Sequence, residues 1–324
     1  MPYKNTDISR DKTMKRSLIV LLLGVSEIVA AQSAPVTADF SIEQFYVGGR
    51  RGGEFVVRDR LTRASFSAET GAWRFNASHF YYGFCKFQEV DATNLEYSSG
   101  SLRLRAGRFL VPIGQTSWDE QWYSGHVFLN QVELSRYGGF AFMWHTSVGV
   151  DATLYCGRQT LQFSAVSSDQ LKNRLVASKL DRGTVRIQHY ENGVVYGLSA
   201  LFNLDGIAQD ERMLLVDVRW SVPQWGARAE LVGFSKDGEK SNGYFVELYH
   251  RPKGWTDVTL VGRHEKFEST KSGPTRTMEA NNLGVKLRGL FDTQLFVNYT
   301  FGPSMNNLYL GGGWAIQVNK TIRF

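Results

Sequence analysis

From Gln32 to the C-terminus, hydrophobic and polar residues alternate in short runs, most clearly in the second half of the chain. Val185, Ile187 and His189 alternate with Arg186 and Gln188. After Glu191-Asn192-Gly193, the series Val194, Tyr196, Leu198, Ala200 and Phe202 alternates with Gly197 and Ser199. Leu283, Val285 and Leu287 oppose Asn282, Lys286 and Arg288, and Leu295, Val297, Tyr299 and Phe301 oppose Gln294, Asn298 and Thr300. A period of two sends successive side chains to opposite faces of a strand, so each run has one apolar and one polar face. No segment of any length repeats at the helical period. The pattern predicts an all-β fold with about sixteen strands, near 40–48, 54–66, 73–87, 91–97, 102–110, 145–156, 160–167, 183–190, 194–203, 212–221, 227–235, 243–250, 256–264, 279–289, 293–301 and 312–324. Fourteen or eighteen strands would also fit.

The connectors alternate as well. Every second one is short: 68–72, 98–101, 157–159, 191–193 (whose Asn-Gly pair tolerates positive φ), 222–226, 251–254 and 290–292. The others are generally longer, notably 111–144, 168–182, 204–211, 265–278 and 302–311. Short turns at one rim and long loops at the other are the layout of a transmembrane antiparallel β-barrel, with its turns periplasmic and its loops outside. A soluble β-sandwich has no reason to separate them. Aromatics near strand ends (Trp73, Tyr81, Trp220, Tyr299, Trp314) fit the membrane interfaces. The last strand, WAIQVNKTIRF, sets Trp314, Ile316, Val318, Ile322 and Phe324 against Gln317, Asn319, Thr321 and Arg323, with Lys320 breaking the apolar parity.

The first 31 residues read differently. Lys15-Arg16, the apolar run Leu18–Val25 and small residues before Gln32 follow the order of a secretory signal, with Met14 as an alternative start. Residues 32–324 then form one barrel domain. Removing 1–31 takes away five basic and three acidic residues, so the formal charge of +6 becomes +4. This charge is mild and unclustered, which argues against a nucleic-acid partner. A mean hydropathy of −0.26 argues against a helical membrane protein, while abundant Gly and aromatics with few Pro favour strands and turns. Cys85 is expected near an outer strand end and Cys156 at a periplasmic one, too far apart for a disulfide.

One passage, ATNLEYSSGSLRLRAGRFLVPIG (Ala92 to Gly114), followed by Gly149-Val150-Asp151, carries family wording. Leu95-Glu96-Tyr97, the turn Ser98–Ser101, the strand Leu104-Arg105-Ala106-Gly107-Arg108-Phe109 and then Pro112-Ile113-Gly114 resemble outer-membrane porins of the phosphate-selective porin O and P family. Ile113 replaces the aromatic usual in that family. The match runs from Ala92 to Asp151 and is only architectural elsewhere, in a chain shorter than typical members. The resemblance implies a sixteen-stranded, homotrimeric diffusion channel in the outer membrane of a Gram-negative-type bacterium. The terminal Phe324 resembles the signal by which such barrels are recognised by the barrel-assembly machinery.

For a channel, the polar parity faces the lumen. It carries Arg58, Arg60, Arg74, Arg103, Arg105, Arg186, Arg219, Arg263, Lys286 and Arg288, with Glu54, Asp217, Glu230 and Glu247 on the same side. The basic excess suggests anion preference among small hydrophilic solutes. The connector of about 111–144 is the longest and, as the third outer loop, is expected to fold inward. Its Asp119, Glu120 and Glu133 would then face wall arginines across a constriction. The six histidines form no His-Glu-x-x-His pair and no Gly-x-Ser-x-Gly elbow occurs, so no cofactor, metal or catalytic residue is expected. A barrel enzyme of lipase or protease type, with His126 or His145 beside Ser124 or Ser147, and a non-conducting structural barrel are the alternatives.

Overall fold

The computed structural model describes residues 35–51, 54–82, 87–114, 146–167, 179–204, 211–236, 238–255, 257–270, 273–289, 293–301 and 313–323. They hold sixteen strands: β1 (Thr37–Arg51), β2 (Glu54–Thr70), β3 (Trp73–Tyr82), β4 (Phe87–Ser99), β5 (Leu102–Leu110), β6 (Thr146–Cys156), β7 (Gln159–Val166), β8 (Arg182–Glu191), β9 (Val194–Asn203), β10 (Arg212–Ser221), β11 (Trp225–Lys236), β12 (Glu239–His250), β13 (Val258–Thr270), β14 (Arg276–Arg288), β15 (Thr293–Phe301) and β16 (Gly313–Arg323). Each pairs antiparallel with its sequence neighbours, and β1 closes on β16 from Ser41–Arg323 to Gly49–Ala315. Closure leaves no open edge.

All sixteen expected strands are present, and the turns at one rim are short, as at Asn192-Gly193, where φ is 47° and 80°. The other rim is more mixed than the sequence suggests. Arg51 to Glu54, Tyr82 to Phe87 and Lys236 to Glu239 are brief connections, whereas Leu110 to Thr146 and Val166 to Arg182 are long.

The parity test is decisive along β9, β10 and β11. On β10, Met213, Leu215 and Asp217 are buried while Leu214 and Val216 are exposed. Leu231 on β11 is 59% exposed and Leu283 on β14 57%. A water-soluble surface rarely leaves so wide a band of large apolar side chains uncovered. The same band is the lipid-facing surface of a membrane barrel. Aromatic pairs bound it: Trp73–Tyr97 (4.9 Å) and Trp225–His250 (4.0 Å) at the turn end, Tyr299–Trp314 (5.0 Å) toward the other. Lys320 sits on this outer face opposite Gln44 and Thr293, so its break in the apolar parity belongs to a polar row across three strands.

β2 departs from simple alternation. Val47 pairs with Asp59 but Gly48 with Val57, so Arg58 is the extra residue of a β-bulge. Beyond the bulge, Arg60 pairs with Tyr46 in the same alternating series as Thr62, Ala64 and the exposed Phe66. The uniform parity that assigns Arg58 and Arg60 to the lumen is interrupted here, and Arg63 takes the inner face instead.

A candidate solute path inside the barrel

The inner face of β5 to β7 is built round Asp151. Arg103 and Arg105 alternate with the outward Leu102 and Leu104, and register sets Arg105 opposite Asp151 and Arg103 opposite Thr153. Arg105 Nη2 lies 3.3 Å from Asp151 Oδ1, and Gln162 Nε2 and Ser164 Oγ donate to Oδ2 at 2.9 and 2.8 Å. Three donors saturate the carboxylate and justify its burial. Arg105 also lies over the Phe109 ring at 4.3 Å. Among the described residues Arg103 Nη2 donates only to Thr153 Oγ1, at 3.1 Å.

Further round the wall, from β8 to β13, the charges are buried and paired. Arg186 grips Asp217 with both terminal nitrogens, at 2.9 and 3.1 Å, and donates from Nη1 to Ser199 Oγ at 2.7 Å. Arg228 holds Glu247 through two bonds of 2.6 and 3.0 Å. Arg263 bridges Glu247 and Glu265 and lies 3.9 Å from the Phe245 ring centroid. The bidentate Arg228–Glu247 pair is the strong geometry for a guanidinium.

Against this inner face runs the beginning of the long connector. Past Gly107 (φ 116°), Phe109 near the end of β5 and then Val111 and Ile113 beyond it are all under 5% exposed. They pack with Leu201, Met213, Leu215, Val232 and Phe234 from the inner face of β9 to β11. The Gly114 amide donates to Ser199 Oγ at 3.2 Å, so that hydroxyl oxygen accepts from both the stem and Arg186. A Cβ on Gly114 would stand 2.6 Å from Glu230 Oε2 and 2.9 Å from Leu215 Cδ1, and φ there is 65°. The stem therefore lies inside the barrel, pressed onto β9 to β11.

Of the residues expected to line the lumen, Arg74, Arg103, Arg105, Arg186, Arg219, Arg263, Lys286 and Arg288 stand on the inner parity. Arg74 is paired with Glu69 at the turn rim. The side chains of Arg58, Arg60 and Glu54, together with Asp119, Glu120, Glu133, His126, His145, Cys85 and Phe324, lie outside the described residues. Cys156 is a free, exposed thiol at the turn end. His189 and His250 stand near turn-end strand termini, His250 with Nδ1 3.2 Å from the Gln224 carbonyl. No group of three or more His, Cys, Asp or Glu side chains among the described residues could hold a metal ion.

Sequence reasoning missed Arg63, Arg228, Asp151, Glu265 and the apolar stem seat. Arg228 and Asp151 shared the polar parity all along, whereas Arg63 was hidden by the bulge. The seat had a signal too: in Met213-Leu214-Leu215-Val216 both parities are apolar. An apolar depression of about 730 Å³ is lined mainly by outward side chains, among them Trp73, Tyr97, Leu104 and Phe163.

Solved structures match the whole of this architecture. OmpF of Salmonella typhi, solved with daunomycin, superposes with a TM-score of 0.67 at 11% identity, over 90% of this chain and 98% of that one. The anion-selective porin from Comamonas acidovorans gives 0.61 at 13% identity, over 90% and 99%. OmpT of Vibrio cholerae, in its trimer form, gives 0.61 at 9%, over 89% and 99%. The chain has the porin fold. No protein-family model and no curated protein matches it in sequence, so the phosphate-selective family is not established by these comparisons. Within the porin fold, the charged inner wall and the inward stem are the features that bear on function.

Proposed function

We propose that the protein is an outer-membrane porin: a water-filled channel for small hydrophilic solutes, not an enzyme. The observation that carries this reading is the stem Val111–Gly114, bonded to Ser199 inside a barrel whose inner wall is charged and whose outer wall is apolar. A purely structural barrel needs neither ion pairs directed at its axis nor a loop brought into its lumen. Residues 1–31 serve as the export signal in this reading, the C-terminal strand ending at Phe324 is presented to the barrel-assembly machinery, and the outer membrane of a Gram-negative bacterium is the destination. The trimer form of the Vibrio protein supports a homotrimer here.

For selectivity we infer a mild anion preference, with phosphate the first solute to try, given the passage from Ala92 to Gly114. Most wall arginines are neutralised by carboxylates, so the preference rests on the few that are not. Purified protein in a planar bilayer should give discrete conductance steps, and a potassium chloride gradient should give a reversal potential of anion-selective sign. Barrels that insert without conducting, or that hydrolyse phospholipid, would overturn the channel. A cation-selective potential would overturn the preference alone.

A further inference from the structure

Four arginines on strands spread round the barrel stand at the rim of short turns. Arg103 is the second residue of β5, Arg219 lies two before the end of β10, and Arg288 and Arg323 end β14 and β16. All four share the inner parity of their strands: Arg219 with Asp217, Arg288 with Asn282 and Lys286, and Arg323, opposite Ser41, with Thr321 opposite Glu43. Among the described residues none of the four meets a carboxylate. Arg103 has its bond to Thr153, and Arg219, Arg288 and Arg323 are exposed.

Their isolation contrasts with the deeper Arg186 and Arg263. Arg186 and Arg263 retain 6% and 0% of their side-chain exposure, and both are ion-paired. At the opposite end, Arg182 and Lys236 pair with Glu211 and Lys179 with Asp181. The carboxylates at the turn rim, Asp39, Glu69 and Glu96, all act on Arg74, in the sector of β1 to β4. Among the described residues, five inward basic groups thus face three acidic ones at this mouth. The turn tips add Arg158, Arg251 and Lys253 against Glu191 and Asp257, which does not offset the excess.

We propose that Arg103, Arg219, Arg288 and Arg323 form a basic collar at the turn-side mouth, which gathers small anionic solutes there and makes the channel electrically asymmetric. The inference rests on the channel reading above and names the part of the wall that sets its selectivity. Fixed charge at a low-dielectric opening raises the local concentration of the opposite ion. The reach of that field is a Debye length, about 8 Å at 0.15 M salt and about 30 Å at 0.01 M. At low salt the collar spans the mouth, and at high salt it is screened.

The test is current–voltage recording on channels inserted from one side of a bilayer, in about 0.01 M and about 1 M potassium chloride. At low salt the currents at equal and opposite voltages should differ about two-fold, and at high salt they should be equal. The variant R103Q/R219Q/R288Q/R323Q should lose the low-salt asymmetry. Because Arg323 lies in the closing strand, R219Q/R288Q is the second variant, and it should lose part of the asymmetry. Symmetric low-salt current in the unaltered protein, or asymmetry unchanged in both variants, overturns the collar while leaving the channel intact. Absence of any conductance overturns the channel reading and the collar with it.

Discussion

At Gly114 three constraints meet in one residue: a backbone in the left-handed region, an amide bonded to Ser199, and no room for a Cβ beside Glu230 and Leu215. Only glycine satisfies all three cheaply. Gly114→Val should therefore lift the stem from β9 to β11 while leaving the barrel closed. The expected readout is a larger and noisier single-channel conductance, with unchanged β-sheet circular dichroism. Unchanged conductance would mean that the stem does not narrow the path. Gly107 has the same character on β5, where a Cβ would come within 2.4 Å of the Thr93 carbonyl oxygen. The passage from strand to stem thus depends on glycines that hydrophobic patterning cannot detect.

At the scale of the strand, two kinds coexist. In their turn-side halves β12 and β14 carry Val246 and Leu248, and Leu283, Val285 and Leu287, outward with Glu247, Asn282, Lys286 and Arg288 inward, as a tilted spanning strand of about 9–11 residues requires. β9, β10 and β11 are apolar outward, where lipid covers them, and also inward toward the loop rim, at Leu201, Met213, Leu215, Val232 and Phe234, where the stem covers them. Each buried Leu, Met or Phe in that seat contributes about 1.5–3 kcal/mol. The outer face makes its own demand. Leu283→Arg on β14 should cost about 2–4 kcal/mol near the bilayer midplane, seen as a lower urea midpoint for protein refolded into vesicles. Leu283→Val should stay close to the unaltered protein. Equal midpoints for Arg and Val would argue against this face meeting lipid.

For the whole molecule, an even number of strands puts both ends of the barrel at one rim with the short turns. Cys156, exposed at that rim, reports the orientation. In a Cys85→Ser background, a bulky membrane-impermeant maleimide should label Cys156 only after the outer membrane is permeabilised. Labelling on intact cells would place the turns, and the collar with them, on the outside.

Period-two alternation determined the strand number and the closing role of β16, because a lipid-facing surface leaves its mark on every second residue. It also found Arg103, Arg105, Arg186 and Arg263 on the inner side, for the same reason. It could not decide which of them are neutralised, since Arg105–Asp151 and Arg186–Asp217 join residues 46 and 31 positions apart. Nor could it see the bulge at Arg58, which shifts β2 by one residue and brings Arg63 inward. The place of the stem was decided by tertiary structure alone: Gly114 meets Ser199, 85 residues on, only once the barrel has closed round both.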